Sequence, residues 1–287
     1  MATREEVKPR TLLGEMAAEF AGTMILILFG VGVVAQVVVG GGLYDGGLGD
    51  HDSITWAWGI GVTMGVYVAG RMSGAHINPA VTLAMAVFRG FAWRKVLPYV
   101  AAQFLGAFVA AMLVRWNYDK GLTKVDPDLG INSQGVFSTL PGNGNPDLGV
   151  GMWGGFLDQI IGTAILLFVI LAIVDLRNTS PGMNLAPLII GLLVVGIGMA
   201  WGTLAGYAIN PARDFGPRVA SSLTGYGGQA FKDQYGDPYF WVPIVGPLIG
   251  GLIGAFLYDL LIGRFLPVSD ADEEPGRLPE DEDTAKA

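Results

Sequence analysis

Asn78-Pro79-Ala80 and Asn210-Pro211-Ala212 are one triplet written twice, 132 residues apart. Asn caps a helix N-terminus well, Pro fits the first helical position, where an N–H has no partner, and Ala continues the helix. Each triplet therefore starts a helix, and each helix start carries about half a positive charge. The Asn oxygen can cap its own helix while its NH2 donates outward. The carbonyls of Gly74, Ala75 and His76, and those of Gly206, Tyr207 and Ala208, lie just before the triplets and can accept. Donors and acceptors in a row beside positive helix ends suit neutral hydroxylated molecules and repel cations. Bond-breaking chemistry has little to work with. The chain has no cysteine, only His51 and His76 as imidazoles, and no Ser/His/Asp set, phosphate loop or ligand cluster. An enzyme, a multi-histidine metal centre, a cofactor and a nucleic-acid partner are all unexpected.

Two such helix starts need a frame. Of 287 residues, 52% are hydrophobic and 15% charged, against about a quarter charged in a soluble domain. That balance describes a polytopic membrane protein. Six apolar segments suit a hydrocarbon core about 30 Å thick. They run over about 17–40, 54–71, 96–115, 153–175, 185–205 and 238–262. Beyond Asn78 the apolar run Val81 to Phe88 is about half that length, as in a re-entrant segment. The glycine-bearing stretches before each Asn are expected to be extended. Non-helical backbone survives at membrane depth only where protein buries it or where it lines a wet cavity.

The chain also repeats. Glu19-Phe20-Ala21-Gly22-Thr23 answers Gln159-Ile160-Ile161-Gly162-Thr163, and Phe104-Leu105-Gly106 answers Leu248-Ile249-Gly250; with the triplets, the offsets are 140, 144 and 132 residues. Each half holds three spans, an odd number, so the second enters the membrane inverted. The expected division is an N-terminal segment 1–16, a channel domain 17–262 and a C-terminal segment 263–287. Within the channel domain lie a first repeat 17–115, an outer linker 116–152 and a second repeat 153–262. Residues 269–287 hold eight acids and two bases, a composition expected to stay disordered and solvated. Lys and Arg crowd before the first span and between the second and third, which places both termini in the cytoplasm.

Ser73-Gly74-Ala75-His76-Ile77-Asn78-Pro79-Ala80-Val81-Thr82 and Gly206-Tyr207-Ala208-Ile209-Asn210-Pro211-Ala212-Arg213-Asp214-Phe215-Gly216-Pro217 resemble the two signatures of the major intrinsic proteins, the aquaporins and glycerol facilitators. The likeness runs over about residues 15 to 265. It implies an all-α fold of six transmembrane helices and two re-entrant half-helices, a homotetramer in the plasma (inner) membrane, and one passive pore per subunit. It further implies a selectivity filter of Trp58, Gly198, Tyr207 and Arg213. Trp58 and Tyr207 would face the carbons of a polyol, Arg213 would bind its hydroxyls, and Gly198 would keep the opening wide.

A water-selective relative typically has histidine on the second span, where this chain has Trp58. Asp214, Arg218, Pro243 and Ile244 resemble the glycerol branch, as does Gly135-Val136-Phe137-Ser138-Thr139-Leu140-Pro141. Asp214 is expected to pair with Arg218 or to cap its half-helix. Two residues depart from the pattern. Tyr207 replaces a frequent Phe, adding a hydroxyl that either narrows the opening or accepts from a polyol. Gln159 replaces a usual Glu, whose first-half counterpart Glu19 is expected to anchor loop N–H groups, while the neighbouring Asp158 is expected near the membrane boundary. The function implied is a channel for glycerol, other small neutral polyols and water that excludes ions and protons. Two rivals are a water-selective channel and an ion-coupled transporter, which needs acids at the midplane, where Glu19 alone qualifies. With no thiol present, mercurials are expected to leave solute flux unchanged; rapid, reversible inhibition in liposomes contradicts this.

Overall fold

The computed structural model describes residues 10–267. Most of the C-terminal segment 263–287, including residues 269–287 expected to be disordered, and most of the N-terminal segment 1–16 lie outside the described residues. Helices α1 (Leu12–Leu43), α2 (His51–Ser73), α3 (Pro79–Phe88) and α4 (Trp93–Asn117) form the first half. Two short helices, α5 (Asp119–Val125) and α6 (Ile131–Gln134), follow in the linker. The second half holds α7 (Met152–Val174), α8 (Ala186–Ala205), α9 (Pro211–Ser221) and α10 (Val242–Leu261). Among the described residues there is no strand, only an isolated bridge between Lys232 and Pro238.

Local chemistry explains the boundaries. Thr11 caps α1 through its side chain. Asp50 and Ser53 form a capping box at α2, and the Ser53 N–H and hydroxyl hold the Asp50 carboxyl below its ordinary range. Five stretches are long and apolar enough to cross a membrane: α1, α4, α7, α8 and Val242–Phe265. At 23 residues α2 is long enough but less apolar. It opens on His51, Asp52 and Ser53, and much of its buried face is Gly and Thr.

The packing repeats as the sequence does. In the first half α1 lies against α2 and α4; in the second α7 lies against α8 and α10. Each half-helix crosses over, α3 packing on α10 and α9 on α4. Matching glycines allow the matching contacts. A Cβ on Gly106 would strike the Phe20 carbonyl, and one on Gly250 would strike the Ile160 carbonyl. Small residues at such crossings let backbones approach where lipid offers no hydrophobic drive between helices. Gly106→Leu and Gly250→Leu are each expected to cost about 1–3 kcal/mol or more, read as a lowered unfolding midpoint in detergent. Similar losses at the two sites would follow from their equivalence.

Candidate functional site

Residues 74–77 and 206–209 carry the chain from a long helix to a half-helix, and they are not extended. Gly74, Ala75 and Ile77 have φ of 87°, 51° and 42°, and Gly206, Tyr207 and Ile209 have 67°, 36° and 44°. Four of these six are non-glycine residues in the left-handed region, which costs of order 1–3 kcal/mol each and persists only where surroundings enforce it. The enforcing groups are visible in the first half. Glu19 is fully buried, and its Oε1 accepts from the Ser73 hydroxyl at 2.6 Å and the His76 N–H at 2.9 Å. Its Oε2 accepts from the Ile77 N–H at 2.6 Å and Gln103 Nε2 at 2.7 Å. In the second half, Gln159 accepts from the Ile209 N–H at 2.9 Å and donates to the Ala205 carbonyl at 2.8 Å. Gln159 therefore holds one loop N–H where Glu19 holds two.

The loops meet at the two asparagines. Asn78 Oδ1 caps α3 through the Ala80 N–H, and Asn210 Oδ1 caps α9 through the N–H groups of Ala212 and Arg213. Asn78 Nδ2 donates to the Ile209 carbonyl at 2.8 Å, and Asn210 Nδ2 donates to the Ile77 carbonyl at 2.9 Å. One amide hydrogen of each is thus spent across the repeat interface rather than outward, leaving one. Among the described residues no protein donor reaches the carbonyls of Gly74, Ala75, His76, Gly206, Tyr207 or Ala208.

Both asparagines line a cavity of about 560 Å³. Along α2 its lining runs Trp58, Val62, Val66, Gly70, twelve residues or roughly 18 Å of helix. Leu166, Ile170 and Val194 add apolar lining. Gly74, Ala75, His76, Tyr207 and Ala208 line it; Gly206 and Gly198 do not. The His76 ring also packs against Phe91 and Tyr99, with centroids 4.6 and 5.2 Å away.

Trp58, Tyr207 and Arg213 line the cavity together. The Arg213 guanidinium lies 3.9 Å from the Trp58 ring centroid, a cation–π stack, with no protein acceptor among the described residues. Trp58 Nε1 and the Tyr207 hydroxyl are buried and unpartnered. Gly198 stands behind, where a Cβ would come within 2.9 Å of Tyr207 Cζ.

Asp214 and Arg218 face away from the cavity and form a fully buried pair, Arg218 Nε donating to Asp214 Oδ1 at 2.5 Å. Asp214 Oδ2 also accepts from the N–H and hydroxyl of Thr139, and Arg218 donates to the carbonyls of Thr139 and Ala230. The pair clamps the linker onto α9. Pro243 and Ile244 occupy the first turn of α10. Asp158 is buried one residue before Gln159, with Oδ1 unpartnered; one step along a helix turns its side chain about 100° from the Gln159 direction.

Sequence reasoning passed over Ser73, Gln103 and Tyr99, which hold Glu19 and its loop. Tyr99 and Gln103, polar and four apart on an apolar helix, were the available signal. Replacing Glu19 with Leu strands two loop N–H groups at about 1–3 kcal/mol each. Arg218→Met leaves Asp214 a buried unpaired charge, at about 3–5 kcal/mol. Both are expected to lower the unfolding midpoint in detergent more than Gln159→Leu, which strands one loop N–H.

The family described as Major intrinsic protein matches residues 6–258. A probable aquaglyceroporin-2 of Gibberella zeae is 46% identical over 252 residues, 85% of this chain and 71% of the relative. The glycerol uptake facilitator protein of Escherichia coli is 43% identical over 90% of this chain and 91% of its own length, and that of Pseudomonas aeruginosa 44% over 93% and 96%. Among solved structures, the aquaglyceroporin from Plasmodium falciparum superposes with a TM-score of 0.78 at 31% identity, covering 89% of this chain and 99% of that one.

Proposed function

The chain belongs to the major intrinsic protein family, and from that premise we propose that it is a passive channel for glycerol and other small neutral polyols. Water passes too; ions and protons do not. The channel is a homotetramer in the plasma membrane, with one pore per subunit and both termini cytoplasmic. One observation carries it: two half-helix starts meet across a cavity with one apolar wall and one wall of unpartnered carbonyls. Relatives named as glycerol uptake facilitators and aquaglyceroporins support the choice of solute.

A polyol matches those walls. At the constriction Arg213 donates to its hydroxyls, while Trp58 and the Tyr207 ring take its carbons. Farther in, the loop carbonyls accept from each hydroxyl in turn and the free amide hydrogens of Asn78 and Asn210 donate, replacing the contacts the solute had with water. A cation would meet the Arg213 charge and then two positive helix ends with no counter-charge in reach. Water at the asparagines is oriented by two donors, which interrupts a proton-carrying chain. Coupled transport fits poorly, since four donors occupy both oxygens of Glu19, and Asp158 does not line the cavity.

One observation favours a water-selective channel instead: the Arg213–Trp58 stack narrows the space beside Tyr207. Light scattering from proteoliposomes separates the two. Fast reswelling in an inward glycerol gradient, insensitive to ion gradients and unsaturated, is the expected result; water flux with no glycerol entry favours the alternative. Arg213→Ala is expected to relax selectivity and to admit protons or cations, followed with an internal pH dye. Unchanged selectivity would remove Arg213 from the filter.

A further inference from the structure

His51, Thr55 and Trp58 stand at i, i+4 and i+7 of α2, one face of that helix. The face meets Gly198 and Gly202 of α8. A Cβ on Gly202 would lie 2.6 Å from His51 Cε1, 2.9 Å from His51 Nε2 and 3.2 Å from Tyr207 Cδ1. One on Gly198 would lie 2.8 Å from Thr55 Cγ2 and 2.9 Å from Tyr207 Cζ. His51 and Tyr207 thus flank the position that a side chain at Gly202 would take, and Thr55 and Tyr207 flank the one at Gly198. His51 Nε2 is 3.1 Å from the Gly198 carbonyl oxygen. A carbonyl only accepts, so Nε2 carries the hydrogen. The residue is exposed, yet its ring is held by the hydrogen bond to Gly198 and lies beside the side-chain position that Gly202 leaves empty. Tyr207 has no comparable tether. Its hydroxyl is unpartnered and its backbone is left-handed, so its ring is placed by what flanks it.

We infer that His51 is a positioning residue for the constriction: by donating to Gly198 and occupying the space beside Gly202, it sets where the Tyr207 ring lies against α8 and limits the size of polyol that passes. This rests on the reading of Trp58, Tyr207 and Arg213 as the filter. His51 lines no part of the cavity, so it acts through Tyr207 and not on the solute.

The test measures permeability to glycerol, erythritol, xylitol and water in proteoliposomes of the full-length protein. The variants are His51→Ala, His51→Gln, Tyr207→Ala and the double His51→Ala/Tyr207→Ala, each checked for wild-type elution in detergent. His51→Ala is expected to raise the erythritol-to-glycerol ratio about five-fold, or about 1 kcal/mol of discrimination. His51→Gln, whose amide nitrogen can donate to the same carbonyl, restores the ratio. Once Tyr207 is alanine, removing His51 adds nothing. An unchanged ratio in His51→Ala, a glutamine variant that behaves like alanine, or additive effects in the double variant each overturn the role. A wild-type protein that passes water but no glycerol overturns the filter reading beneath it, an outcome distinct from a glycerol-conducting wild type that ignores His51.

Discussion

Asn78 donates to the carbonyl of the residue before Asn210, and Asn210 donates to the carbonyl of the residue before Asn78. Each asparagine at the same time caps its own half-helix through its oxygen. In hydrocarbon an unpaired backbone group costs several kcal/mol, so two broken helices ending at one depth need partners there. The crossed pair supplies them from within, each half satisfying the other. Other features follow from that requirement. The half-helices must be short, the repeats inverted, and the long helices close enough at Gly106 and Gly250 to bring the two ends together.

The halves are equivalent in outline and unequal in support. A carboxylate with four donors grips the first loop, and a carboxamide with one acceptor and one donor grips the second. The second half gains a support the first lacks, the buried Asp214–Arg218 pair with Thr139 and Ala230. That pair follows Arg213 directly on α9, so the clamp bears on the half-helix whose start carries the intramembrane cation.

Much of this was legible in the chain because it is local or repeated. Asn-Pro-Ala marks a helix start by its own chemistry, and the half-length run to Phe88 shows the re-entrant form. The doubled segments give the inversion, and the family likeness agrees with the relatives found. What was not legible depends on contacts between distant residues. The left-handed turns at Ile77 and Ile209 violate local preference and are held by Glu19 and Gln159, 58 and 50 residues away. Thr139 reads as linker until Asp214 is seen to bind it. His51 reads as a spare imidazole at a helix start until α8 brings two glycines beneath it.

The crossed asparagine bonds also set a condition on synthesis. Their partners are separated by 131 and 133 residues, which at about 5–20 residues per second is roughly 7 to 26 s of translation. Throughout that interval the Asn78 amide and the Ile77 carbonyl have left the ribosome without the groups that will satisfy them. The nascent first half can anchor its loop on Glu19, but it leaves one donor and one acceptor at the tip of that loop unsatisfied until the second half arrives. Completion comes late: neither bond can close until Ile209 and Asn210 have been made and the second half has entered beside the first.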